Sequence, residues 1–120
     1  MLYAAAALFV ILGLAHSYLG ERFILMRLFR RGNLPKALGS TEFTQGTLRF
    51  TWHLTTLLAF GMAAVLLGIA QGSSERALVS VIGWGSLLAG LLPVYFTRGK
   101  HLSWVGFFAA GAACLWWAVR

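Results

Sequence analysis

The sequence predicts an all-α fold, an antiparallel four-helix transmembrane bundle, and three observations carry that reading. Hydrophobic residues make up 59% of the 120 positions and charged residues only 11%, against about 25% charged in ordinary globular domains. The apolar residues gather into four runs separated by polar connections. The basic residues collect at the ends of those runs, where orientation signals and contacts with anionic headgroups belong.

The first run, Leu2 to Tyr18, falls just short of the roughly 20 residues a span needs. A helix continuing through Glu21 toward Phe29 removes the shortfall, so the first span is placed at about 2–21. Within it Gly13, His16, Ser17, Gly20 and Glu21 recur at the i, i+3, i+4, i+7, i+8 spacing of one helix face. From Glu21 to Arg31, Ile24, Leu25, Leu28 and Phe29 fall on one side and most arginines on another, with Phe23 intruding. That pattern describes an amphipathic extension leaving the bilayer or lying in its interface. Gly32-Asn33 ends the helix and Pro35 keeps it from restarting.

The cytoplasmic connection is placed at about 22–47, and two starts fit the second helix. The hydroxyls of Gly39-Ser40-Thr41-Glu42 are natural N-caps, and Gly46-Thr47 offers a start nearer the membrane. The second span runs over about 48–70. After Gln71-Gly72, Ser73 or Ser74 caps a third span at about 76–96. Thr97-Arg98-Gly99-Lys100 leads into a fourth at about 101–119. One membrane domain accounts for the whole chain, with its first span retained rather than cleaved as a signal peptide.

Charge at the span ends sets the orientation. Arg22, Arg27, Arg30, Arg31, Lys36 and Arg49 flank the first connection, Arg76 alone flanks the second, and Arg98 and Lys100 flank the third. The pattern places both termini on the non-cytoplasmic side of a plasma membrane, here a bacterial inner membrane, with terminal Arg120 a contrary charge. Tyr3, Trp116 and Trp117 then fall at the outer face, and Trp52, Tyr95 and Trp104 near the inner one. The net charge of +7 is absorbed by this role, and no nucleic-acid module accompanies it.

Small residues recur at helical spacing in three spans. Gly61, Ala64 and Gly68 mark the second, Gly83, Ser86, Gly90 and Pro93 the third, and Ser103, Gly106, Ala110 and Ala113 the fourth. In lipid such stripes let helices approach closely, so they predict a compact bundle and a homo-oligomer or a subunit of a larger membrane complex. The single cysteine, Cys114, allows no intramolecular disulfide.

Antiparallel pairing of the first two spans sets His16 level with His53, and Glu21 level with Arg49. At 1.5 Å per residue the two levels lie about 6–8 Å apart. Arg49 and His53 share one face, which Trp52 and Thr56 extend, and His101 opens the fourth span on the same side. A Glu21–Arg49 pair reads either as a structural ion pair or as a relay. His16 and His53 can bond nearby hydroxyls of Ser17, Thr55 and Thr56, or bind haem or a divalent metal through neutral imidazoles. Glu21 and His101 would be the further metal ligands.

Catalysis without a cofactor finds no support. Ser17 beside His16 lacks the geometry of a nucleophile and its base. Glu42 and Glu75 lie on opposite membrane sides, and no Gly-rich phosphate loop is present. The chain is similar in size and span count to small multidrug exporters and fluoride channels. It has neither an acid in the middle of its first span nor a polar pore track, so no residue role is carried over from either family. Three functions remain: a non-enzymatic accessory, assembly or self-associating membrane protein; a haem- or metal-binding protein using His16 and His53; and a small oligomeric proton-linked transporter or channel.

Overall fold

A computed structural model describes residues 1–120, in four helices with no sheet. Helix α1 is Leu2–Arg30, α2 is Thr41–Ala70, α3 is Glu75–Thr97 and α4 is Ser103–Val119. Their lengths of 29, 30, 23 and 17 residues correspond to about 43, 45, 35 and 26 Å. Against a hydrocarbon core of about 30 Å, three helices are long and apolar enough to cross a membrane, and α4 is apolar but shorter. Three of the four expected spans therefore have the length and apolarity to cross.

Local sequence explains the boundaries. Helix α1 runs unbroken past Glu21, so the extension leaves along the helix axis rather than turning off as a separate element. Gly32, at φ 67°, follows its last turn, the left-handed geometry glycine reaches without steric cost. Of the two possible starts for α2 the earlier is used: Ser40 is extended (φ −147°, ψ 161°) and Thr41 is the first helical residue. The 22–47 connection therefore shrinks to Arg31–Ser40. It closes with a tight turn in which the Ser40 N–H donates to the Ala37 carbonyl at 3.3 Å. Of the two serines offered for α3, Ser74 is the cap, its Oγ accepting from the Ala77 N–H at 3.3 Å. Arg98 (φ 54°) and Gly99 (φ 75°) then reverse the chain into α4.

The helices pack in chain order, α1 on α2, α2 on α3 and α3 on α4, and α1 does not close onto α4. Gly13 faces Phe60 and Gly20 faces Trp52, Gly46 faces Phe96 and Gly68 faces Leu78, and Gly83 faces Leu115 and Gly90 faces Phe108, so each neighbouring pair is antiparallel. The molecule measures 50 × 31 × 14 Å. Its thinnest dimension is close to the 10–12 Å width of a single helix. The expected compact bundle is therefore a row one helix thick. Only 14 of 120 residues are buried, because each helix meets neighbours along its edges and leaves two faces open. Closing the row into a bundle would gain little from lipid, where apolar side chains are already among apolar neighbours.

Where helices do meet, small residues set the distance. A Cβ on Gly46 would lie 2.2 Å from the Phe96 carbonyl oxygen, and one on Gly83 would lie 2.8 Å from Leu115. The sequence left open what each stripe faces; in α3, Gly83 lies against Leu115 and Gly90 against Phe108, so this stripe faces α4. The α4 stripe does not face back. Gly111 is the contact residue there, against Leu87, while Gly106, Ala110 and Ala113 point outward. In α2, Gly68 meets Leu78 but Gly61 meets nothing.

Candidate functional site

The polar residues of α1 and α2 meet across one seam, and a change of helical winding positions them. Gly20–Leu25 is wound as a π-helix, with the Met26 N–H donating to the Glu21 carbonyl five residues back. Such turns are inserted where side-chain demands outweigh the regular ladder, frequently at functional sites. Here the Trp52 indole lies across Gly20, the first residue of the π turn. A Cβ on Gly20 would sit 1.9 Å from Trp52 Nε1. The extra residue in the turn carries the inward face from position 24 to position 25, so Leu25 is buried while Ile24 is 49% exposed. The expected grouping of Ile24 with Leu25, Leu28 and Phe29 is corrected by that rotation.

His16 and Trp52 clasp each other. The imidazole Nε2–H donates to the Trp52 carbonyl at 3.2 Å, and the indole Nε1–H donates to the His16 carbonyl at 3.0 Å. Their rings stack with centroids 4.7 Å apart and planes 8° from parallel. Because a carbonyl only accepts, Nε2 is the protonated ring nitrogen of His16.

A chain of side-chain bonds runs beside the clasp. Arg49 grips Glu21 with Nη2 on Oε1 at 2.7 Å and Nε on Oε2 at 3.2 Å. His53 Nε2 meets Glu21 Oε2 at 3.1 Å, and its Nδ1 meets Ser17 Oγ at 2.8 Å. Ser17 Oγ lies 2.6 Å from Thr56 Oγ1, which reaches the Gly13 carbonyl at 3.0 Å. Aromatic rings cover the chain. The Arg49 guanidinium sits over Phe29 at 4.9 Å, and Phe96 of α3 stacks against His53 at 6.1 Å. The side chains of Glu21, Arg49 and His53 are 29%, 32% and 22% exposed, so the charges lie on the seam with partial access.

Proton counting gives this chain two arrangements, since each hydroxyl has a single hydrogen to donate. If Thr56 donates to Gly13, Ser17 donates to Thr56 and His53 Nδ1–H donates to Ser17. If Ser17 instead donates to a bare Nδ1, Thr56 donates to Ser17 and has no proton left for Gly13. In both, Nε2–H faces the Glu21 carboxylate. The arrangements differ by one proton on His53.

His101 stands apart from the seam. Its Nδ1 accepts from the Ser103 backbone N–H at 3.4 Å and meets Ser103 Oγ at 2.9 Å. Its ring packs between Phe43, at 6.0 Å, and Phe50, at 4.9 Å. The imidazole takes up the first backbone N–H of α4. The proposed metal set of His16, Glu21, His53 and His101 is not gathered, because no three His, Cys, Asp or Glu side chains stand close enough to hold one ion. Both His53 ring nitrogens and Nε2 of His16 are already hydrogen-bonded. Ligating haem iron or a metal through any of these three would break a bond across the seam. Thr55, offered by the sequence as a partner, turns away to its own helix and bonds the Thr51 carbonyl.

Sequence spacing placed Glu21 and Arg49 at one depth and put Gly20 on the inward face. It gave no sign of the π turn, the carbonyl exchange between His16 and Trp52, or the cover supplied by Phe29 and Phe96. The one available signal was glycine opposite tryptophan at matched depth, where only a missing Cβ admits an indole.

Fold and seam together define the class: a small multi-span helical protein of the lipid bilayer, held by a polar seam between its first two helices. Compared with known proteins, the chain matches no family model, no curated protein and no solved structure.

Proposed function

We propose that this chain is a non-enzymatic membrane subunit, whose flat row of helices associates laterally with further copies, and whose His/Glu/Arg seam fastens α1 to α2. The row itself carries the reading. A layer 14 Å thick exposes both faces of every helix, and the outward stripe of Gly106, Ala110 and Ala113 on α4 suits close helix approach.

The course of the seam favours fastening over transport. It begins at Arg49, near the basic end, and stops at the Gly13 carbonyl. Beyond that level α1 from Ala4 to Leu12, and α2 from Leu57 to Ala70, contain only apolar residues and glycine. A proton-linked transporter keeps ionisable groups within reach of both sides, near the middle of the membrane. Orientation belongs to the same proposal. The basic ends of α1 and α2 face the cytoplasm, α4 crosses as a fourth span with local thinning of the bilayer to match its shorter length, and both termini lie outside.

Reconstitution at low density tests this, by counting bleaching steps of singly labelled chains in liposomes. The expected result is multimers that carry no proton flux. Single steps at every protein-to-lipid ratio would overturn the proposal, as would a proton flux that Glu21→Gln abolishes.

A further inference from the structure

Just beyond the seam, the outer side of α1 carries three arginines, of which Arg27 lies over the Phe23 ring at 5.7 Å. Arg22, Arg27 and Arg30 wall one cavity of about 210 Å³, with Phe23 and Met26 completing it. No carboxylate pairs with any of the three. Five residues apart, Arg22 and Arg27 would stand about 140° apart around a regular α-helix. The π turn between Gly20 and Leu25 removes much of that angle and brings both to the same cavity. The winding change that admits Trp52 on the inner face thus gathers guanidinium groups on the outer one.

A shallow, open groove of about 430 Å³ adjoins that cavity and shares Arg22 and Met26 with it. Its walls are almost wholly apolar, and it runs back along α1 past Tyr18 to Leu14. Ser17 and Glu21 border it, but both Glu21 oxygens are taken by Arg49 and His53. The two spaces differ in kind. One is a small basic pocket at the headgroup end of the helix, and the other is an oily groove leading from it into the depth of the bilayer.

We infer that this cavity and groove form a binding site for an anionic glycerophospholipid, its phosphate held by Arg22, Arg27 and Arg30 and one acyl chain lying in the Leu14–Tyr18–Met26 groove. Guanidinium groups match phosphate geometry through paired N–H donors, and basic pockets beside membrane helices bind anionic headgroups. The basic cavity is smaller than the roughly 300–1,000 Å³ of sites for whole drug-sized ligands, as suits a headgroup whose tail lies elsewhere. A free phosphate would use the cavity and ignore the groove. The inference rests on α1 crossing the bilayer and not on lateral association, so it stands for a single chain.

Native mass spectrometry of the full chain, delipidated in mild detergent, tests it with phosphatidylglycerol, phosphatidylcholine and inorganic phosphate as probes. One phosphatidylglycerol should be retained per chain, at least tenfold more tightly than phosphatidylcholine. Arg22→Gln/Arg27→Gln/Arg30→Gln should reduce that retention at least tenfold, with Arg76→Gln without effect. Met26→Trp, which fills the junction of cavity and groove, should weaken the lipid several-fold. Circular dichroism of each variant separates lost binding from lost folding, and a single Arg27→Gln, expected to lose about threefold, stands in if the triple variant unfolds. Equal retention of the two lipids, indifference to the arginine changes, or inorganic phosphate bound as tightly as lipid and untouched by Met26→Trp would each overturn the inference.

Discussion

His16 and Trp52 hold each other by exchange: each side chain bonds the other's backbone carbonyl, at 3.2 and 3.0 Å, while their rings lie stacked. Two helices are thereby pinned in register by groups that would otherwise stand unsatisfied in a medium with little water. The geometry needs a residue without a Cβ at position 20, and the π turn follows the indole around that point.

Glycine substitutions should rank by the space each structure position leaves. Gly20→Ala forces the indole off, since its Cβ would fall 1.9 Å from Nε1, and should cost about 1–3 kcal/mol as an overpacked site. Gly13→Ala meets the edge of Phe60 at 3.0 Å and should cost less. Gly61→Ala, with nothing within 4 Å, should be neutral or better by up to about 1 kcal/mol from helix propensity. Unfolding by SDS in mixed micelles measures the order, and equal losses at all three positions would refute it.

Charge exchange should report on the Glu21–Arg49 grip. Glu21→Arg and Arg49→Glu should each destabilise the chain, and the doubly exchanged variant should recover more than half of the summed loss. A coupling of about 1 kcal/mol or more is expected from a double-mutant cycle, within the range for residues in contact. Strict additivity would mean that the pair contributes nothing.

Thr55 and Thr56 make a matched control. Thr56→Val removes the link between Ser17 and the Gly13 carbonyl and should cost about 0.6 kcal/mol, the mean for a hydrogen bond between membrane helices, and no more than about 1.7. Thr55→Val removes only a bond to its own helix, at 3.5 Å, and should change stability by less than about 0.5 kcal/mol, as exposed positions usually do. The same SDS titration reads both, and a reversed order would place the interhelical link elsewhere.

Imidazole nitrogen NMR should find His16 with its hydrogen on Nε2, because the Trp52 carbonyl can only accept. Trp52→Phe keeps an aromatic face and that backbone carbonyl but loses the indole donor. It should leave the tautomer in place while lowering stability by about 0.5–1.5 kcal/mol, the net worth of one hydrogen bond. A His16 signal showing the Nδ1–H form in the unmodified chain would contradict the clasp.

Gly106→Leu and Ala110→Leu should leave the fold intact, since both positions face outward, yet reduce multimer formation in the bleaching-step assay. Bulk at Gly111, where an added Cβ would lie 2.7 Å from Leu87, should instead destabilise the α3–α4 contact by about 1–3 kcal/mol. Association unaffected by either outward change would move the interface to another face.

Four apolar helices, their antiparallel order, the inward face from Gly13 to Glu21 and the equal depth of Glu21 with Arg49 were all legible in the sequence. Hydropathy and helical periodicity are properties of neighbours along the chain, and short connections force antiparallel pairing. Tertiary structure alone decided that the helices lie in a row rather than a bundle, that α4's small-residue stripe faces outward, and that the histidines bond separate partners. Those outcomes turn on where an indole fits and which way a helix is wound. A single extra residue in the turn at Gly20–Leu25 rotates everything after it, and no periodicity fixed at 3.6 residues per turn contains that rotation.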